Sequence, residues 1–290
     1  MTLSADVARC SDLSRRDFVR DYLTPSPRPV ILTNALASWP ALGKWTPDYF
    51  GEHYGDVSVT IDGRTMSVRE LADAIRVSTP ERPAPYLRNS LLSRWPARLM
   101  DDVSPLPRCT EHNWLDSRLF PSRDSLKYFE LYIGGRGAAF PVLHYDGLHT
   151  HAFIMEIYGE KEFWVYPPEQ TAFLYPRPGA ESSKSQIDDI EHPDLERFPL
   201  FAQAKGTRFR LKAGETLFVP AGWWHTTRML TPAISVSVNS ADAANWRAFK
   251  QDFCADVAQE RGPLRATITR AYLGAFGGLC SGLEFLNLFV

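Results

Sequence analysis

Residues 140–168 read FPVLHYDGLHTHAFIMEIYGEKEFWVYPP, and this stretch contains the strongest signals for both fold and function. Its second half carries apolar runs on both sides of Gly159, which predicts two short strands, AFIMEIYG and KEFWVYPP, joined as a hairpin. Its first half brings possible metal ligands close together, namely His144, Asp146, His149 and His151. The stretch therefore predicts a β domain that carries a polar site at the start of one strand.

The composition bounds the class of protein. The chain has 290 residues, of which 44% are hydrophobic and 23% charged, as in soluble globular proteins. The net charge is -2 without a basic block, so we expect no nucleic-acid partner. The cysteines are scattered without a CxxC pair, which predicts free thiols and a cytoplasmic location. The first residues lack the apolar segment of a secretory signal.

The N-terminal part predicts mixed elements. LSRRDFVRDYL has the pattern of a short amphipathic helix, and VILTNAL that of a buried strand. VSVTIDGRTM alternates and turns at Asp62-Gly63, which predicts a hairpin. Ser67 with Glu70 three residues later predicts a capping box at a helix start.

From about residue 125 the pattern changes to short strands. KYFELYIGG and AISVSVNS are each predicted to be one strand, and TRFRLKAGETLFVPAGWWHTTRML to hold two more with a turn at Ala213-Gly214. Many short strands with Gly and Pro turns indicate an antiparallel sandwich or barrel. We expect this mainly β domain, with flanking helices, to span residues 1–240.

Residues 241–290 predict a C-terminal helical segment. The aromatic residues Trp246, Phe249 and Phe253 recur at helical spacing, and Gly262-Pro263 separates two helices. The last stretch, AYLGAFGGLCSGLEFLNLFV, is strongly apolar but is interrupted by Glu284 and Asn287. We expect a packed terminal helix that forms a homodimer interface, and no membrane span.

Strand geometry sorts the possible ligands. Residues two apart on a strand share a face, so His144 and Asp146 can present an imidazole and a carboxylate together. His149 and His151 follow a turn at Gly147 and have the opposite parity. The other histidines are His53, His112, His192 and His225, and of these His225 alone lies in a predicted strand of the barrel. Two histidines and one carboxylate are the ligand set that leaves open positions on non-haem iron(II).

The combination of HYD, GEKEFWVYPP, AGETLFVPAGWWHTT and SVSVN resembles the JmjC, cupin-type family of iron(II)- and 2-oxoglutarate-dependent oxygenases. The likeness extends from RPVILTNALASWPALGKW at residues 28–45 to Asn239, which is most of the chain. The segment at residues 173–201 is similar to an insert of the family's asparaginyl hydroxylases, and the spacing in HYDGLHTHAF to its lysyl hydroxylases. The resemblance implies a double-stranded β-helix, or jelly roll.

The resemblance also implies roles for individual residues. His144, Asp146 and His225 match the iron ligands, and Lys161 matches the cation that binds the distal carboxylate of 2-oxoglutarate. An inward-pointing lysine in a buried strand would need such an anion. The residues that match further contacts to the cosubstrate or the iron surroundings are Tyr86, Thr150, Ser237 and Asn239.

The sequence departs from the family pattern in two places. Pro141 stands where the asparaginyl hydroxylases have a cosubstrate-binding threonine, so Thr150, His151 or Ser237 would have to supply that hydrogen bond. Ile154 replaces an asparagine of the lysyl group. For His149 we expect a hydrogen-bonded loop residue. His151 could equally be such a loop residue, or it could support the iron ligands or contact the substrate.

The sequence thus predicts a dioxygenase that hydroxylates a C–H bond in a side chain of a protein or peptide, with succinate and CO2 as co-products. Demethylation of N-methyl-lysine and hydroxylation of a small molecule are alternatives with the same chemistry. A zinc-dependent hydrolase and an inactive cupin binding module are alternatives from other classes.

Overall fold

The computed structural model describes residues 2–4, 7–110, 113–120 and 129–285. Its strands are β1 (Thr2–Ser4), β2 (Ala8–Cys10), β3 (Val30–Leu32), β4 (Ser58–Ile61), β5 (Arg64–Ser67), β6 (Leu87–Leu91), β7 (Glu130–Gly134), β8 (His151–Tyr158), β9 (Glu160–Tyr166), β10 (Lys205–Lys212), β11 (Thr216–Val219), β12 (Trp224–Met229) and β13 (Ala233–Ser240). Its α-helices are α1 (Arg15–Phe18), α2 (Pro47–His53), α3 (Val68–Arg76), α4 (Arg98–Asp102), α5 (Trp246–Arg261) and α6 (Pro263–Phe285).

Two sheets form the β domain. The larger sheet has seven strands in the order β2-β3-β11-β8-β13-β7-β6, and the smaller has four in the order β1-β10-β9-β12. From β8 to β13 the chain crosses repeatedly between the two sheets, with only the consecutive strands β9 and β10 in the same sheet, and hydrogen-bonded neighbours in this part are antiparallel. This is the jelly-roll arrangement, and the predicted fold class, mainly β with flanking helices, is confirmed.

The predicted hairpin around Gly159 is wrong. β8 pairs with β11 and β13 in the larger sheet, whereas β9 pairs with β10 and β12 in the smaller one. The same period-two pattern arises whether two consecutive strands pair with each other or face each other across a sandwich, so the local sequence does not separate the two cases. The segment at residues 205–229 likewise holds three strands, not two.

Other local predictions are confirmed. β4 and β5 form the hairpin at Asp62-Gly63, where both residues have positive φ angles of 48° and 79°. Ser67 and Glu70 form the capping box of α3. The predicted strand KYFELYIGG corresponds to β7, and its first residues, Lys127 and Tyr128, lie outside the described residues.

Strand alternation divides the larger sheet into an apolar and a polar face. On β13, Ile234, Val236 and Val238 pack with the N-terminal helices in one hydrophobic core. The opposite face carries Ser235, Ser237 and Asn239, which line a cavity between the two sheets. The remaining space between the sheets is filled by a second apolar cluster of Ile31, Phe163, Val165, Leu211, Leu217 and Val219, among others. The sandwich is thus packed at one end and open at the other.

The C-terminal helices form a separate apolar cluster. Trp246, Phe249 and Phe253 of α5 pack against Leu273 and Phe276 of α6. No helix in the described part of the chain combines the length and apolar character needed to cross a membrane. The predicted division of the chain near residue 240 stays a prediction, and residues 286–290 of the predicted terminal helix lie outside the described residues.

We expect Gly159→Ala to destabilise the fold by about 3 kcal/mol or more, because left-handed backbone strain and a steric clash combine at this position. Gly159 has a φ of +83°, and an added Cβ would lie 2.0 Å from the carbonyl oxygen of Pro232. The matched control is Gly214→Ala, with a φ of +89° and no atom within 4 Å of the added Cβ, which should lose only the left-handed strain of about 1–2 kcal/mol. Urea denaturation measures both values, and equal losses would contradict the steric argument.

Candidate metal and cosubstrate site

Backbone pairing brings His144 and His225 together. The amide of His144 donates to the carbonyl oxygen of His225 at 3.0 Å, and the amide of His225 donates back at 2.6 Å. The two imidazole rings consequently lie with their centroids 4.4 Å apart. Asp146 follows two residues later and turns its carboxylate to the same side, with Oδ2 3.9 Å from Nε2 of His225.

One ligand atom from each of His144, Asp146 and His225 lies within 4.8 Å of the other two. Histidine and carboxylate make bonds of about 2.0–2.2 Å to transition metals, so small side-chain movements would let the three atoms converge on one ion. In the described ranges, this is the one cluster of three histidine, cysteine or acidic residues with such geometry. The assignment of the three residues as metal ligands stays a prediction.

Both imidazoles are prepared to bind through Nε2. Nδ1 of His144 lies 3.1 Å from the carbonyl oxygen of Val142, and Nδ1 of His225 lies 3.1 Å from that of Trp223. A carbonyl only accepts, so Nδ1 is the protonated nitrogen in each ring and Nε2 carries the lone pair. Phe140 stacks on His144 with the ring centroids 4.5 Å apart, which fixes the orientation of that imidazole.

Burial sets the protonation of the cluster. It lowers the pKa of His144 to about 3, with a further contribution from His225, so this imidazole is neutral at pH 7. Burial raises the pKa of the Asp146 carboxyl, against the influence of His225 and His151. A neutral imidazole is the form that binds a metal, whereas a buried carboxylate without a cation is unstable. The protonation states therefore favour a bound cation.

The cluster opens into a cavity of about 380 Å³ that ends at a buried amine. Lys161 on β9 is only 1% exposed, and its side chain lines the cavity. Its ammonium donates to the hydroxyl of Ser235 and lies 3.5 Å from a carboxylate oxygen of Glu156. A cavity with carboxylate and imidazole groups at one position and an ammonium at another can bind a chelating anion that has a second negative end.

The other residues predicted to contact the cosubstrate also line this cavity. They are Tyr86, Thr150, Ser237 and Asn239. The hydroxyl of Thr150 donates to the carbonyl oxygen of Gly147 at 3.1 Å and lies 3.3 Å from the side-chain oxygen of Asn239. That these four residues bind a cosubstrate stays a prediction.

His149 and His151 do not belong to the three-residue cluster. Nδ1 of His149 lies 2.5 Å from a carboxylate oxygen of Asp252 on α5, so this side chain ties the loop to the C-terminal helices. His151 is buried, accepts from the amide of Ala221 at 2.9 Å, and directs Nε2 towards Asp242 at 3.6 Å. His151 does not line the cavity, so Thr150 and Ser237 are the better placed replacements for the hydroxyl missing at Pro141. His112 lies outside the described residues.

Several residues at or near the cavity were not predicted from the sequence. Glu130 and Tyr132 on β7 line the cavity with Asn89, whereas Glu156 does not line it but lies beside Lys161. The alternation of β7 and β8 could have found the acidic residues, because Glu156 shares a face with Ile154 and Glu130 with Tyr132. Asn89 has a φ of +52° on an irregular strand, and no local pattern predicts its position.

The cupin-like domain family matches residues 15–246, which is most of the chain. The chain belongs to the cupin-like domain family. The matched range contains both sheets of the sandwich from β3 onward, the cavity and the metal cluster.

Named relatives share this cupin-like region. The chain is 29% identical over 245 residues to the lysine-specific demethylase JMJ30 of Arabidopsis thaliana, covering 80% of this chain and 54% of that protein. It is 29% identical over 263 residues to the human bifunctional peptidase and (3S)-lysyl hydroxylase JMJD7, covering 76% and 79%. It is 37% identical over 140 residues to HSPB1-associated protein 1 of Rattus norvegicus, covering 48% and 27%. The predicted resemblance to cupin-type JmjC oxygenases is thereby confirmed.

The coverage differs among these relatives. The chain spans about half of the length of JMJ30 and about a quarter of that of HSPB1-associated protein 1. The similarity to these two relatives therefore covers only one part of each of them.

We expect Asp146→Asn and His144→Ala each to lower the affinity for Mn(II) by about 100-fold or more, because each removes a ligand from a set of three. The matched control is His192→Ala, whose side chain is 86% exposed and bonds only within its own loop to Asp189. Isothermal titration calorimetry measures the affinity, and binding of Mn(II) should raise the melting temperature of the wild-type protein. Unchanged Mn(II) affinity in both ligand variants would contradict the assignment.

Proposed function

We propose that this protein is an iron(II)- and 2-oxoglutarate-dependent dioxygenase that hydroxylates a C–H bond in a side chain of a protein or peptide. The observation that carries the proposal is a single cavity with the His144, Asp146 and His225 cluster at one position and the buried ammonium of Lys161 at another. Iron(II) needs the ligand cluster, and the distal carboxylate of a 2-oxo acid needs the ammonium. The reaction requires both ligands to bind in the same cavity.

The donor set fits iron(II). Two neutral imidazoles and one carboxylate form the facial triad whose remaining positions stay open for other ligands. Structural zinc sites, by contrast, are usually closed by four protein ligands. The described residues provide no fourth ligand within the cluster, so open positions face the cavity.

The cavity fits 2-oxoglutarate. Lys161 would bind the distal carboxylate, and the hydroxyl of Tyr86 would donate to the same group. Burial raises the pKa of that hydroxyl, which therefore remains a donor at neutral pH. Thr150, Ser237 and Asn239 supply hydrogen-bonding groups along the wall. These contacts would fix the 2-oxo acid in one orientation relative to the metal.

In such an enzyme the bound iron and 2-oxoglutarate supply the oxidising chemistry, which inserts one oxygen atom from O2 into a C–H bond and releases succinate and CO2. The protein's own residues orient the reactants and exclude water. Ile154 and Phe163 form an apolar part of the wall, and Phe140 shields one side of His144. The carbonyl oxygens of Val142 and Trp223 keep both imidazoles in the tautomer that binds through Nε2.

A basic side chain suits the substrate side of the cavity. Glu130 lines it, and one carboxylate oxygen accepts from the hydroxyl of Tyr132 at 2.8 Å and from the amide of Asn89 at 3.0 Å. Burial raises the pKa of Glu130, so an ammonium next to it would be favourable. Two relatives are named for their action on lysine, and a lysyl side chain is our preferred target. Demethylation of an N-methyl-lysine would use the same site.

The competing classes make different predictions. A zinc hydrolase would leave Lys161 without an anion and would turn over without oxygen. An inactive cupin would not consume 2-oxoglutarate. No disulfide joins the four cysteines, all of which lie among the described residues, and this supports a reducing compartment, so we propose the cytoplasm.

We expect succinate release that requires iron(II), 2-oxoglutarate and oxygen together, and a gain of one oxygen atom by a lysine-containing peptide. Mass spectrometry of a peptide library measures both the gain and the modified residue. His144→Ala should abolish the product, and His192→Ala, far from the cluster in sequence and exposed, should retain it. Loss of a methyl group from methyl-lysine peptides would favour demethylation, whereas product formation without oxygen would contradict the oxygenase.

We also propose that α6 forms a homodimer interface. Leu264, Ile268 and Tyr272 are spaced four residues apart and are 75%, 57% and 45% exposed, while Leu273 and Phe276 of the same helix are buried against α5. Exposed apolar residues in a row on one helix are typical of a protein interface.

We expect the double variant Leu264→Glu and Ile268→Glu to shift the protein from dimer to monomer, because charges in the apolar row oppose association. Size-exclusion chromatography with light scattering measures the mass. Val77→Glu, which alters an equally exposed apolar residue next to α3, serves as the control and should leave the dimer intact. A wild-type protein that is monomeric at micromolar concentration would contradict the interface.

A further inference from the structure

Glu156 is a fully buried acid that the proposed function does not use. Its exposed fraction is 0%, and it lies on β8, on the same face as the cavity-lining residues Ala152 and Ile154. Within the described part of the chain, neither carboxylate oxygen has a hydrogen-bond donor. The nearest cation is the ammonium of Lys161, 3.5 Å from one oxygen. A buried carboxylate with so little support requires an explanation.

The ammonium of Lys161 is shared between Glu156 and the cavity. Lys161 lines the cavity, whereas Glu156 lies behind it and does not. Ser235, which pairs with Glu156 across the sheet, accepts a hydrogen bond from the ammonium. When both groups are ionised, the pair carries no net charge. A second carboxylate that approaches from the cavity then meets a cation already neutralised by the first.

Two carboxylates on one buried ammonium cannot both stay ionised at low energetic cost. Like charges that share a site raise the pKa of one of them strongly. Burial already raises the pKa of Glu156 to about 7, although Lys161 opposes the shift. Protonation of Glu156 is therefore accessible near neutral pH, and a bound anion would raise its pKa further.

Two titratable groups face Glu156 and a third lies beside its backbone. Lys161 faces it from β9 and the hydroxyl of Tyr86 from the segment before β6. Burial raises the pKa of Tyr86, so this hydroxyl stays protonated through the neutral range. Glu215, whose carbonyl oxygen accepts from the amide of Glu156, directs its carboxylate to Arg9 at 3.2 Å. Glu156 is thus the carboxyl group that faces the ammonium of Lys161.

We propose that Glu156 controls occupancy of the cosubstrate site by taking up one proton from solvent when the distal carboxylate of a 2-oxo dicarboxylic acid binds to Lys161. This inference rests on the proposed function, since it takes Lys161 as the anion-binding group. The starting state is the ionised Glu156–Lys161 pair, the free dianionic ligand and one proton from solvent. The final state is the dianion bound to Lys161 beside neutral Glu156, so protons and charge balance. Above the pKa of Glu156, the affinity for the ligand then falls about tenfold for each unit of rising pH.

Isothermal titration calorimetry of 2-oxoglutarate into the Mn(II)-loaded protein tests the proposal, in two buffers of different ionisation enthalpy at about pH 8. The wild-type protein should take up close to one proton for each ligand bound. Glu156→Gln should take up almost none, and it should bind about tenfold more tightly than the wild type at this pH. The affinity of this variant should not change between about pH 7 and pH 9.

Matched controls isolate Glu156 and the distal carboxylate. Glu215→Gln, a change of the same kind in the turn just before the neighbouring strand β11, should behave as the wild type does. 2-Oxobutyrate, which lacks the distal carboxylate, should bind without proton uptake to both the wild type and Glu156→Gln. Proton uptake by the wild-type protein is measured without any variant. It therefore tests the proposal even if a melting experiment shows that Glu156→Gln folds poorly.

The outcomes separate the two proposals. Binding of 2-oxoglutarate without proton uptake by the wild type would overturn the role of Glu156 and leave the proposed function intact. Proton uptake that persists in Glu156→Gln would also overturn it, because another group would then titrate. A protein that binds Mn(II) but shows no 2-oxoglutarate binding between about pH 6 and pH 9 would overturn the proposed function itself.

Discussion

The reciprocal backbone hydrogen bonds between His144 and His225 are the constraint on which the candidate site depends. They join two segments that are far apart in the chain, and they set the separation of the two imidazoles before any ion binds. The carbonyl oxygens of Val142 and Trp223 then fix the tautomers. Because each of these contacts uses main-chain atoms, the arrangement depends on the sandwich and not on flexible side chains. The site is organised in advance of its ligand, which reduces the entropy lost on binding.

A second constraint is the unequal filling of the space between the sheets. At one end, residues such as Val165, Leu217 and Val219 pack closely. At the other, small or polar residues of β8 and β13 leave a cavity, and Lys161 extends into it. A buried ammonium is stable only with an anion or strong acceptors nearby. Glu156 and Ser235 fill this need in the absence of a bound anion, so the fold tolerates a buried charge at the position where the proposed cosubstrate would bind.

The acidic residues in and behind the cavity influence which ligands it can bind as much as Lys161 does. Glu130 lines the cavity and accepts hydrogen bonds from Tyr132 and Asn89, and Glu156 lies behind Lys161. A cavity with separated carboxylates can distinguish its two ligands by charge. A basic substrate would be drawn to Glu130, whereas a dicarboxylate would compete with Glu156 for Lys161. The same low-dielectric environment strengthens both effects.

The class of fold and the three residues of the candidate metal cluster follow from the sequence alone. Period-two alternation, the Gly and Pro turns and the capping box at Ser67 are local signals, and the HYD and GWWH segments contain the residues that the structure brings together, His144, Asp146 and His225. Only the tertiary structure decided that β8 and β9 belong to different sheets, because pairing partners are chosen by contacts distant in sequence. The position of Glu156 behind Lys161 followed from the same choice. Alternation shows that a residue points inward, but which charge it meets there depends on the strand placed opposite.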